Sequence, residues 1–161
     1  MSKPTHITAE KGQTSIVITR EFKAPAMLVF SLYEDPELFT QWSKPDGAAM
    51  EVERMECKTG GSFLWHHVHE NGMKFSFYGV FHEVQAPTTI IKTSEFKGLP
   101  EKLLPVIEHL QFEPLVDQKT KLTITIYCPT ESYRDGMLSS GMQAHFDHSF
   151  ALLDGLLSTR L

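Results

Sequence analysis

Three of four consecutive residues, His66, His67 and His69, form the densest concentration of reactive side chains in this 161-residue chain. On an extended strand His67 and His69 point to one side, and imidazoles spaced i, i+2 can be directed at one metal ion. A third protein ligand is then needed. His145, His148 or Glu70 could be proposed, yet none lies at a strong zinc spacing, so no metal site and no cofactor is expected. Solvated rim histidines, or a polar pocket contact by His67 or His69, are the readings that remain. General acid–base chemistry would require Glu83, Glu95 or Asp135 beside a histidine. The chain has no Gly-x-Ser-x-Gly elbow, phosphate loop or dinucleotide fingerprint, and no catalytic residue is assigned. Cys57 follows Glu56, whose charge opposes thiolate formation, and it is expected to stay reduced together with Cys128.

The second constellation is aromatic. Strand alternation puts Phe63 and Trp65 on the face of His67 and His69, and in the next extended run Phe75, Phe77, Gly79 and Phe81 share a face. Turned inward, these faces would wall an apolar pocket, although ordinary cores use the same residues. Trp42 is a packing anchor or a group at the pocket mouth, and Leu138, Met142 and Phe146 supply the opposite wall. Hydrophobic or aromatic small molecules are the ligand class such a wall would take. Arg20, beside Phe22, is expected as a surface ion-pair partner.

The elements that would position these residues follow from punctuation. Ser15 to Phe22 is β-branched and bounded by Gly12 and Pro25, a strand with its stops. Pro25 opens a first short helix carrying Met27, Leu28, Phe30 and Leu32, Asp35-Pro36 starts a second through Trp42, and Pro45 and Gly47 end it. Extended runs then follow over Met50 to Cys57, Ser62 to His69, Lys74 to Val84, Thr89 to Phe96, Val106 to Leu115 and Lys121 to Cys128. Thr59-Gly60-Gly61 and Glu70-Asn71-Gly72 supply hairpin turns, and Gly79 fits a bulge or bend. From Glu131 to Leu161 the apolar residues Leu138, Met142, Phe146, Phe150, Leu153 and Leu157 form one stripe of a long helix, capped by Ser132 with Asp135.

The predicted class is α+β: a curved antiparallel sheet of about six or seven strands wrapped around a long C-terminal helix, with two short helices after the first strand. Residues 1–12 read as a flexible leader and 13–161 as a single domain. Hydrophobic residues at 41% and charged residues at 22% sit near the globular average, so neither disorder nor membrane insertion is expected. A formal charge of −5 without a basic stripe excludes a nucleic-acid footprint. The polar first residues lack a signal-peptide h-region, so a cytoplasmic location is expected.

Nearly the whole chain resembles the START-like or SRPBCC superfamily, which has the birch-pollen-allergen (helix-grip) fold and includes polyketide cyclases. It is closest to the branch named after the C-terminal domain of the heat-shock-protein-90 ATPase activator. The resemblance is carried by Ile18-Thr19-Arg20-Glu21-Phe22-Lys23-Ala24-Pro25, Trp42, Gly60-Gly61-Ser62-Phe63, the run Phe77 to Val84, Pro87 to Phe96, and the helix near Gly141-Met142. It implies a cavity between sheet and long helix. Where relatives often have Gly-Trp, this chain has Gly141-Met142, a flexible thioether in place of a rigid ring. Two further activities are carried as alternatives: a cyclase or hydrolase using a pocket histidine and carboxylate, and a module regulating a chaperone ATPase. Met1 to Gly12 cannot stand in for the activator's additional N-terminal domain, so chaperone contact is not expected.

Overall fold

The computed structural model describes residues 4–98 and 100–161. In chain order the elements are β1 (His6–Thr8), β2 (Ser15–Phe22), α1 (Ala26–Glu34), α2 (Pro36–Trp42), β3 (Ala48–Met55), β4 (Ser62–His69), β5 (Lys74–Gln85), β6 (Thr89–Lys97), β7 (Val106–Leu115), β8 (Lys119–Tyr127), α3 (Glu131–Ser139) and α4 (Met142–Ser158). The strands form one antiparallel sheet in the order β1-β2-β8-β7-β6-β5-β4-β3, a meander whose last strand returns to pair with β2.

Alternation fixes the core. Ile16, Ile18 and Phe22 on β2, and Leu122, Ile124 and Ile126 on β8, are buried on one side. Phe150, Leu153 and Leu157 of α4 press onto that side, and the Phe150 ring meets Phe22 edge-on at 5.3 Å. Each such fully buried large side chain contributes about 2 kcal/mol. The short helices close one end. Asp35 caps α2 by accepting from the Glu37 and Leu38 amides, and the Trp42 indole N–H donates to the Leu32 carbonyl at 2.8 Å.

Four expectations change. Residues 6–8, assigned to a flexible leader, instead pair with β2, His6 opposite Thr19 and Thr8 opposite Val17. The apolar stripe from Leu138 to Leu157 is not one helix. Gly141, at φ +91°, adopts the left-handed conformation that ends α3 and starts α4, and Thr130, rather than Ser132, caps α3 by accepting from the Tyr133 amide. Gly79 carries no bulge. The register shift falls between Phe81 and Glu83, while a Cβ on Gly79 would stand 1.9 Å from the Thr93 carbonyl oxygen, so close strand approach is what Gly79 permits.

The fourth is Arg20, which is buried at 4% exposure and pairs with Asp154 of α4. Its guanidinium carbon lies 5.1 Å from the Phe22 ring centroid and 5.6 Å from that of Phe150, and Nη1 donates to Thr5. The planar, weakly hydrated cation is tolerated there because rings cover its faces and an anion meets its edge. Among the described residues no helix is long and apolar enough to cross a membrane.

Candidate ligand-binding cleft

Strand register brings the aromatic candidates together. Phe63 faces Gly79, Trp65 faces Phe77 and His67 faces Phe75 across β4–β5, all on the side of the sheet that carries the helices. Their burial divides them into two zones. Trp42, Phe63, Trp65, Phe81 and Met142 are buried members of the core. Phe63 stacks on Trp65 at 4.0 Å, Phe81 lies 5.4 Å from Phe63, and Phe39 packs 4.7 Å from Trp65.

His67, His69, Phe75, Phe77, Leu138 and Phe146 are only half-buried. Phe77 and Phe75 stand 5.2 and 5.8 Å from Phe96, and His67 lies 4.9 Å from Phe77. On α4, His145 is 6.1 Å from His67 and 5.4 Å from Phe146. Phe96 and His145 were not among the sequence candidates for the wall. The alternation of β6 placed Phe96 on the inward side, and His145 precedes Phe146 in the helical stripe, so both had a legible signal.

Two of these imidazoles, His67 and His145, are held neutral. Burial, with lesser contributions from His145 and His69, lowers the His67 pKa to about 4, against the opposing effect of its hydrogen bond to the Ser43 backbone. Burial also lowers His145, reinforced by His148. Next to this pair, a groove of about 490 Å³ runs between the loop after α2, the end of β4 and α4, with Lys44, His69, Glu70 and His148 among its lining residues. Ser149 fixes that loop by donating to the Lys44 carbonyl at 3.0 Å.

At the inner end of the same face a charged pair sits among the rings. Lys92 on β6 is register partner to Glu108 on β7, with Nζ 3.5 Å from the carboxylate and 5.1 and 4.9 Å from the Phe63 and Trp65 ring centroids. Tyr33 is held as a neutral phenol by burial and, secondarily, by the charge of Glu108. Cys57 is pushed up to about 11, mainly by burial, with Lys92 opposing and Glu34 adding. At neutral pH it is a protonated thiol.

His66 points to the other side of the sheet. Its Nδ1 lies 2.7 Å from Ser76 Oγ and its Nε2 lies 2.9 Å from Glu53 Oε2, a serine–histidine–carboxylate chain that sequence reasoning did not find. Ser76 is in a strand paired on both sides, opposite His66 on β4 and Lys97 on β6, so neighbouring amides belong to the ladders and form no oxyanion hole. The chain therefore reads as a cross-strand tie. Of the other carboxylates, Glu95 accepts from the Tyr78 hydroxyl and Asp135 binds Arg134. Glu83 is paired with Ile91, roughly 26 Å along the strand from His67's partner Phe75. Among the described residues no group of three His, Cys, Asp or Glu side chains could hold a metal ion.

Comparison with known proteins agrees with this architecture. The family described as Activator of Hsp90 ATPase homolog 1-like protein matches residues 23–158. No curated protein matches the chain. Among solved structures, a protein from Staphylococcus epidermidis is 30% identical with a TM-score of 0.82, the match covering 96% of this chain and 95% of that one. A Rhodobacter sphaeroides protein shares the fold at TM-score 0.88 and 19% identity, over 98% of this chain and 99% of that one. An HSP90 activator from Plasmodium falciparum is similar at TM-score 0.65 and 22% identity, over 90% and 96% of the two chains.

Proposed function

Because the chain belongs to the Activator of Hsp90 ATPase homolog 1-like family, we propose that it binds a hydrophobic or aromatic small molecule, lipid-like or polyketide-like, between the helix-bearing face of the sheet and the α3–α4 pair. The observation that carries this reading is the half-buried surface of Phe75, Phe77, Phe96 and Phe146, bordered by the neutral imidazoles of His67 and His145. Apolar rings left partly open beside uncharged hydrogen-bonding groups are the usual composition of a small-molecule site. The α3–α4 break at Gly141 lies beside the buried Met142, which gives that wall an adaptable thioether.

Binding without catalysis is favoured over hydrolysis, because Glu83 is distant from His67 and the Ser76–His66–Glu53 chain has no oxyanion donors. The binding reading is tested by thermal melting and tryptophan fluorescence against a broad apolar library. A true ligand at 100 times its Kd adds about 2.7 kcal/mol of stability. No stabilisation by any member would remove the proposal. The family description and the Plasmodium falciparum activator also support a second reading, a module that regulates a chaperone ATPase. Co-purification with the chaperone and a change in its turnover would support that one.

A further inference from the structure

The two C-terminal helices are held in place by different means. Phe150, Leu153 and Leu157 anchor α4 in the core, each at most 3% exposed. In α3, which packs on β2 and α4, the one buried side chain among the described residues is Arg134, while Tyr133, Met137 and Leu138 are half-buried. Arg134 Nη1 donates to the Glu10 and Gln13 carbonyls, both at 2.6 Å, and Nη2 and Nε donate to Asp135 at 2.9 and 3.1 Å. Those carbonyls belong to the loop between the short edge strand β1 and β2. The Gly12 amide of the same loop donates to Glu131, and the Tyr133 hydroxyl donates to the Leu104 carbonyl at 3.3 Å. Polar ties to two loops, rather than a buried apolar face, therefore fix α3.

Such a helix can open without its neighbours. Nine residues are too few for a helix to be stable alone in water, and Gly136 weakens this one further. The ladder of α4 does not draw on it. Its first bond runs from the His145 amide to the Gly141 carbonyl, and Gly141, in the left-handed conformation, separates the two helices. We propose that α3 is a latched flap that opens by itself while the sheet and α4 stay folded, with Arg134 as the latch, the Glu10 and Gln13 carbonyls as the catch and Gly141 as the boundary where opening stops. Opening exchanges the guanidinium–carbonyl bonds for bonds to water and leaves the core residues of α4 in place. It also bares the Cys128 thiol, which is 7% exposed in the closed form, its sulfur 3.7 Å from that of Met137. The latch and the catch are groups of this chain, so the flap works without a ligand.

The rate at which iodoacetamide labels Cys128 reads the open population, with the label located by peptide mass spectrometry and Cys57 as internal reference. In the wild type this rate is expected to change little with urea below the unfolding transition, because opening one short helix exposes little surface. Arg134→Met is expected to raise it about tenfold. Gly136→Ala, with nothing within 4 Å of the added methyl, is expected to lower it about fivefold. Phe150→Leu, which lowers global stability through the core of α4, is expected to leave the rate without urea unchanged. A wild-type rate that climbs steeply from zero urea, or one raised as much by Phe150→Leu as by Arg134→Met, would mean that Cys128 is reached only by global unfolding and would overturn the flap. An Arg134→Met rate equal to the wild type would overturn it too. Should Arg134→Met not fold, the shallow urea slope of the wild type and the slowing by Gly136→Ala decide, and the absence of either overturns the proposal.

Discussion

His67 on β4 and His145 on α4 pack with ring centroids 6.1 Å apart, and burial holds both imidazoles neutral. His69 and His148 are the remaining histidines around them, so acid places several like charges in one gap. The His67 pKa is about 4 in the folded chain against an ordinary 6.5. Between those values the unfolded chain binds the additional proton, so the stability held above pH 6.5 is lost progressively as the pH falls towards 4. The loss from His67 is roughly 3 kcal/mol at most, and His145 adds in the same direction. Urea midpoints at pH 7.5, 5.5 and 4.5 measure it. A His67→Phe variant flattens the profile; an unchanged profile would show that the histidine pair does not set it.

Arg20 and Asp154 supply an asymmetric test. Asp154 is 28% exposed and Arg20 4%, so removing the arginine lets the carboxylate reach water, whereas removing the carboxylate strands a buried guanidinium. Asp154→Ala is expected to cost about 3 kcal/mol. Arg20→Met, which keeps the stem against Phe22 and Phe150, is expected to cost about half as much. Urea denaturation of both variants checks the order, and the reverse order would contradict a desolvated cation at Arg20.

Two glycines separate steric need from helix propensity. At Gly79 a methyl would meet the Thr93 carbonyl oxygen at 1.9 Å and a Phe63 ring carbon at 2.9 Å, and a backbone atom cannot rotate aside. Gly79→Ala is expected to cost about 3 kcal/mol. Gly155 lies in α4 with nothing within 4 Å, and Gly155→Ala is expected to add up to about 1 kcal/mol. Melting curves of the two variants should move in opposite directions.

Much of this fold was legible because the hairpin turns are written in glycines and asparagine and the strands in alternation. The same apolar spacing misled at the C-terminus: a four-residue stripe continues across Gly141, and only the glycine marks the break. Arg20 was misplaced because residue type alone cannot reveal that Phe22, Phe150 and Asp154 meet it from sequence-distant elements. The aromatic faces of β4 and β5 could be read by alternation, but their division into buried and half-buried rings depends on which rings α2 and α4 cover. Lys92 and Glu108 carried no signal, being ordinary surface residues by type until β6 and β7 turn them inward as register partners.

The cleft proposal makes a direct claim about Phe77 and Phe146. Truncating either to Ala removes part of the half-buried ring surface, whereas Phe63→Ala removes core. The cleft variants should lose affinity for an apolar ligand by about tenfold at a modest stability cost. Phe63→Ala should cost about 3–5 kcal/mol. Paired binding and urea measurements distinguish the two patterns, and equal effects at all three positions would mean that no separate cleft exists.

The most direct measurement is native mass spectrometry of the freshly purified chain beside a Phe77→Asp variant, which places a charge in the open zone. The account predicts a non-covalent small-molecule adduct on the wild type, released under mild activation and absent from the variant. A wild type that appears only at its bare mass of 18.3 kDa, and stays there after incubation with an apolar library, would contradict it.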